Sequence, residues 1–155
     1  MTSDGDDRIL LASIQLPAEM SSWDDLMSFI KSQVDLTLGD SEKTYGVLLS
    51  AEELLSNIIR DSSLESNTAS EARVVGVSSW RAHNGDDDCF ELEISDNGPP
   101  FDPHFDDISD QIPSTPVEQR SLGGLGLYLV KTSVDQVSYS YIDGHNVYAL
   151  ITRLS

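Results

Sequence analysis

The sequence predicts a two-layer α/β (α+β) sandwich, a mixed, mostly antiparallel sheet with three helices on one face. Three observations predict it. The local patterns run strand, two helices, two strands, long loop, helix, two strands, which is not the regular alternation of a doubly wound parallel sheet. The chain has 155 residues, the size of one domain. At 39% hydrophobic and 23% charged, its composition is that of a chain that buries a core rather than one that stays disordered.

Residues 1–7 are polar and acidic and are expected to be a solvated tail, with the domain proper over 8–155. Arg8 to Leu16 is apolar and suited to a strand, and Pro17 ends it. Ser21 to Asp25 offers a helix start with acids in the first turn, where they meet the positive end of the helix dipole. Trp23, Leu26, Phe29, Ile30 and Val34 then form an amphipathic stripe that closes at Gly39. A second helix is expected from about Ser41 to Arg60, apolar over most of its circumference and therefore buried. One stripe on it differs: Gly46, Ser50, Glu53, Asn57 and Arg60 share a face at steps of four and three. Small and polar residues there suit a cavity wall, or an ordinary solvent face.

Asp61 to Ala72 is Ser-rich and polar, and reads as a loop. Arg73–Arg81 and Cys89–Ser95 are strand patterns joined by a turn at Asn84-Gly85, with the triplet Asp86-Asp87-Asp88 solvated at the tip. After Ser95 comes Asp96-Asn-Gly-Pro-Pro-Phe-Asp-Pro103, then a long aperiodic stretch over 104–121 of the kind that forms a lid. Gly123-Gly124-Leu125-Gly126-Leu127 runs straight into a helical pattern, and Gln136–Ile142 and Val147–Arg153 are strands around an Asp143-Gly144 turn.

Nine Lys and Arg against 27 Asp and Glu give a net charge of −18. Such a surface repels phosphate backbones and anionic membranes, which excludes a general nucleic-acid binder and leaves room for a basic protein partner. The single cysteine, Cys89, has no internal partner for a disulfide, which points to a reducing compartment. No run approaches the about 18 apolar residues of a membrane span, and the acidic N-terminus is unlike a signal peptide, so a cytoplasmic protein is expected. His83, His104 and His145 fall in expected loops or turns without zinc-ligand spacing, and neither a Gly-x-Ser-x-Gly elbow nor a calcium loop is present.

Glycines at a helix start free backbone N–H groups for an anion, a weak signal alone. The pattern is neither a P-loop nor a dinucleotide fingerprint. Specificity lies in three pieces in order: Glu53-Leu-Leu-Ser-Asn57 on a helix, Asp96 to Pro103 after a strand, and Gly123-Gly-Leu-Gly-Leu127 opening a helix. With these the chain resembles, from Ile9 to Arg153, the ATP-binding family of gyrase, histidine kinases and MutL, whose fold is the Bergerat type. Within it, it looks most like the small anti-sigma factor serine/threonine kinases of bacterial partner switching.

That resemblance implies roles. Asn57 would bind Mg²⁺ bridging the phosphates of ATP, and Glu53, one turn earlier, would act as general base. Asp96 would accept a hydrogen bond from the adenine amino group, and Gly98 would let the backbone pass close to the base. Gly124, Leu125 and Gly126 would present N–H groups to the phosphates, and Arg120 would reach the terminal phosphate. Arg60, Phe101, Gly123 and Leu127 complete the expected nucleotide-binding set. The implied partners are an anti-sigma factor antagonist as substrate and a sigma factor as target, with the chain as a possible homodimer. Two departures stand out: Pro100 occupies a position where many relatives have a second glycine, and Asp61-Ser62 follows Arg60 where the family usually continues differently. The added carboxylate of Asp61 would repel phosphate. A non-catalytic ATP-dependent binding switch of the same fold is the alternative, with Glu53 incidental to it.

Overall fold

Alternating apolar and polar residues build the sheet in the computed structural model, which describes residues 8–64, 72–105 and 124–154. The expected 1–7 tail, most of the 104–121 lid segment, Arg120 and Gly123 lie outside these. Strand β1 (Arg8–Pro17) leads through a single 3₁₀ turn, Met20–Ser22, into α1 (Trp23–Leu38) and α2 (Glu42–Leu64). The hairpin β2 (Val74–Asn84) and β3 (Asp87–Asp96) follows, then α3 (Gly124–Ser133), β4 (Gln136–Ile142) and β5 (His145–Arg153). The strands lie in the order β1-β2-β3-β5-β4. All four pairings are antiparallel, so among the described residues the sheet contains no parallel pair.

Every second residue of the inner strands points at the helices. Val75 and Val77 of β2, Phe90, Leu92 and Ile94 of β3, and Tyr148 and Leu150 of β5 form one apolar cluster. Leu26, Ile30 and Val34 of α1, Leu54 and Leu55 of α2 and Val130 of α3 complete it, which places all three helices on one face. A fully buried Leu or Phe of this kind contributes roughly 2 kcal/mol. The described helices include none long and apolar enough to cross a membrane.

The polar stripe of α2 has two halves. At its start a Cβ on Gly46 would overlap the Ser133 carbonyl, so the missing side chain lets α2 and α3 approach. Ser50 is buried and returns its hydroxyl to Gly46 O at 2.9 Å. Toward its end Asn57 and Arg60 face a cavity. The stripe is therefore a helix seat first and a cavity wall second.

Several local expectations change. Helix α2 runs past Arg60 to Leu64, because Asp61 to Ser63 sit on its exposed end and the Ser63 hydroxyl donates to Arg60 O at 2.8 Å. The hairpin is longer than its apolar core: Asn84 pairs with Asp87, and Gly85 (φ 66°) and Asp86 form the turn. Asp88 is consequently a strand residue paired with Arg81 rather than a solvated tip, and His83 belongs to β2. In β1 the register shifts between Leu10 and Ala12, a bulge that the sequence did not signal. Cys89 is buried and unbridged, and burial pushes its thiol up.

Candidate nucleotide-binding site

A cavity of about 250 Å³ opens where α2, the end of β3, the start of β5 and the first turn of α3 converge. Its apolar wall comes from Leu54, Ile58, Leu127, Pro99, Phe101 and Tyr148, and its polar wall from Asn57, Arg60, Asp61, Arg73, Asp96 and Asn146. An apolar cleft with a few converging polar groups is what a planar heterocycle with a charged tail requires.

Asp96 closes β3 on the helix side of the sheet and is 3% exposed. A buried carboxylate needs donors, and it has three, all on Oδ1. Gly98 N–H donates at 2.8 Å, Asn146 Nδ2 at 3.2 Å and Arg73 Nη2 at 3.4 Å. Among the described residues Oδ2 receives no donor, which leaves that oxygen for a ligand N–H. A carboxylate with one oxygen held and the other open is an oriented acceptor.

Asn146 is the fastener of this corner, and reading the motifs alone missed it. It is 1% exposed and begins the inward-facing series Asn146, Tyr148, Leu150, Thr152 of β5. Its amide N–H groups are shared among Asp96 Oδ1, Pro99 O at 2.9 Å and Gly98 O at 3.4 Å. Its Oδ1 accepts from Phe101 N–H at 2.9 Å and from the Tyr139 hydroxyl at 2.6 Å. The Tyr148 hydroxyl donates to Phe101 O at 3.3 Å. Burial pushes the phenols of Tyr139 and Tyr148 up, so both stay protonated donors near neutral pH. The loop is thereby tied to β4 and β5 at Gly98, Pro99 and Phe101. The available signal was a polar residue at an inward position directly after the Asp143-Gly144 turn.

Asn97 performs a similar service on the other side. Its Oδ1 accepts from Val74 N–H and its Nδ2 donates to Ala72 O, both at 2.9 Å. These bonds bracket Arg73, whose guanidinium lies between Asp96 and Asp61, 3.3 Å from the latter. Asp61 thus meets a cation on the cavity rim, and this compensates the carboxylate that the sequence placed near the expected phosphates. A Cβ on Gly98 would overlap the Arg73 guanidinium, so the glycine makes room for that side chain.

Helix α3 starts at Gly124, so Gly124, Leu125 and Gly126 contribute backbone N–H groups that have no intrahelical acceptor. Leu127 reaches the cavity wall. A Cβ on Gly126 would overlap the Glu53 carboxylate, which therefore packs on the first turn of α3. Asn57, one turn further along α2, accepts a hydrogen bond from Arg60 on its Oδ1. Of the residues singled out from the sequence, Asn57, Arg60, Asp96, Phe101 and Leu127 line one cavity, with Gly98 behind Asp96. Glu53 stands beside this wall. Arg120 and Gly123 lie outside the described residues.

Among curated proteins, none matches this chain. A family model matches residues 16–151, a span running from the end of β1 into β5 that contains every described wall residue of the cavity. The family is one of ATP-binding domains, in keeping with an apolar cleft that ends at a glycine-rich helix N-terminus. The chain belongs to the histidine kinase-like ATPase domain family.

Proposed function

We propose that the protein is an ATP-dependent serine/threonine protein kinase acting as an anti-sigma regulatory factor. It phosphorylates an anti-sigma factor antagonist and sequesters a sigma factor. The observation that carries the catalytic part is the Glu53 carboxylate packed on Gly126, at the helix start where phosphates bind, one turn from Asn57. From there Glu53 takes the proton of a substrate hydroxyl as its oxygen bonds to the γ-phosphorus and the bond to the bridging oxygen of ADP breaks. The α3 amides hold the equatorial oxygens as charge develops. Phosphate on the antagonist places charge in its interface and releases the kinase for sigma. In this reading the protein works in the cytoplasm, as a homodimer, and its acidic surface complements a basic partner face.

Mg²⁺ fits the donor set. Among the described residues no three His, Cys, Asp or Glu side chains converge on a metal. The hard amide oxygen of Asn57 already holds a cation, the Arg60 guanidinium. Mg²⁺ takes few protein ligands and keeps its waters, so Asn57 with phosphate oxygens suffices. When bound it neutralises charge on the transferring phosphoryl group.

One observation favours a second reading, a non-catalytic ATP-dependent binding switch: Glu53 stands beside the cavity wall rather than in it. The test is transfer of γ-labelled phosphate from Mg-ATP to lysate proteins of the organism that encodes the chain, wild type against Glu53→Ala. A small protein labelled on serine or threonine by the wild type alone establishes the kinase. Absence of label from a sample that binds ATP favours the switch.

A further inference from the structure

We propose that Arg60 is a counter-cation built into the nucleotide site, so that the site holds ATP without a metal ion as well as with Mg²⁺. The inference rests on the ATP-binding reading of the same cavity. Asn57 and Arg60 stand three residues apart on one face of α2, and both line the cavity. The Arg60 guanidinium donates to Asn57 Oδ1. Its choice of partner sets it apart. Arg8 pairs with Glu91 and Glu93, Arg73 with Asp61 and Asp96, Arg81 with Asp88, and Arg153 with Asp135. Among the described residues the Arg60 guanidinium has one hydrogen-bonding partner, the neutral Asn57 amide. This holds in a chain with 27 Asp and Glu against nine Lys and Arg. Even its neighbour in sequence, Asp61, pairs with Arg73 instead.

The result is a positive charge on the cavity wall that no described carboxylate pairs with. Such a charge is complementary to an anion, and the triphosphate is the anion this cavity is read to hold. A guanidinium matches two phosphate oxygens at once through its planar N–H pairs, and a single bond to Asn57 leaves most of its donors for that task. Asn57 Oδ1 is also the hard oxygen that suits Mg²⁺. Two cations in contact with one amide oxygen repel each other strongly. The guanidinium and Mg²⁺ are therefore alternatives at that oxygen. Mg²⁺ brought by the nucleotide releases Arg60 from Asn57 and neutralises the phosphates itself. Without the ion, Arg60 balances phosphate charge in its place. Nucleotide affinity is then only weakly dependent on the metal, and removal of Arg60 makes it strongly dependent.

The experiment is isothermal titration of ATP into the full chain, once with excess Mg²⁺ and once with EDTA, for wild type and Arg60→Met. The expected result for the wild type is metal-free ATP affinity within about 30-fold of Mg-ATP affinity. Arg60→Met weakens metal-free ATP at least about tenfold more than it weakens Mg-ATP. If Arg60→Met fails to melt cooperatively, Arg60→Gln replaces it, with the same expected shift in the ratio. Wild-type protein that binds Mg-ATP and takes metal-free ATP more than about 30-fold more weakly overturns the proposal. So does a ratio of the two affinities that the Arg60 substitution leaves in place. A merely structural Arg60 would lower both affinities together and keep that ratio. If ATP binds under neither condition, the ATP reading falls, and this inference falls with it.

Discussion

Strand β3 carries a shielded carboxylate on each face of the sheet, and the protein supports the two by different means. Asp96, on the helix side, is held by neutral N–H donors from Gly98 and Asn146, with Arg73 at 3.4 Å. Glu91, on the opposite face, is held by charge. Arg8 Nη1 lies 2.6 Å from Glu91 and 2.8 Å from Glu93, and its guanidinium stacks 3.8 Å from the Trp80 ring centroid. The neutral donors orient one oxygen of Asp96 and leave the other for a ligand. The Arg8 bridge ties the first residue of β1 across β2 to β3. At Asp96 directional N–H donors hold one oxygen, whereas at Glu91 a cation stacked on Trp80 bridges two carboxylates and joins strands.

The largest effect is expected at Asn146. Asn146→Ala leaves the buried Asp96 and the backbone groups of Pro99 and Phe101 short of partners. It should lower stability by about 2–3 kcal/mol in urea denaturation and weaken ATP binding at least about tenfold. A variant as stable as wild type would show that the corner holds without its fastener. Next is Arg8→Ala, which leaves two neighbouring carboxylates without this cation and exposes the Trp80 face. Because Arg8 is itself 30% exposed, the expected loss is only about 1–2 kcal/mol. ATP affinity should not change, since this bridge lies across the sheet from the cavity. Coupling between the two would break the division drawn above.

Glu91 gives the contrast a pH signature. Burial pushes its carboxyl up from 4.5 to about 7, against the opposing pull of Arg8. Between those values the native state keeps a proton that the unfolded chain has released, so its stability falls as pH rises through the window. Comparing wild type with Glu91→Gln removes the other carboxylates from the account. The wild type should lose on the order of 1 kcal/mol relative to the variant between pH 5 and pH 8. Parallel melting curves across that range would remove the burial argument. The smallest effect belongs to Arg81 and Asp88, an exposed pair on the hairpin. Substituting Arg81 with Ala should leave the melting temperature within error, as surface pairs usually do.

What was legible in the sequence was local. Alternation and helical stripes set the element order, and Glu53, Asn57, Asp96 and Gly98 stood out through the family resemblance that three short motifs, each spanning a turn or a short loop, carry in order. What was not legible came from pairing across distance. Asn146 meets Asp96 only because β5 lies beside β3, fifty positions apart in the chain. Arg73 reaches Asp96 because β2 pairs with β3, Val75 opposite Asp96, and Asn97 bonds to Ala72 and Val74 on either side of it. The end of α2 was misplaced because Asp61 to Ser63 look like loop residues, and their solvent exposure lets a helix carry them. The bulge in β1 has no glycine to announce it.

The central claim is that Asp96 is the recognition group of an ATP site, and isothermal titration with Mg-ATP tests it most directly. Asp96→Asn keeps the size of the side chain and removes its charge. The account predicts saturable binding by the wild type and affinity at least about 100-fold weaker in Asp96→Asn, with the variant still melting cooperatively. Equal affinity in a folded Asp96→Asn would contradict it.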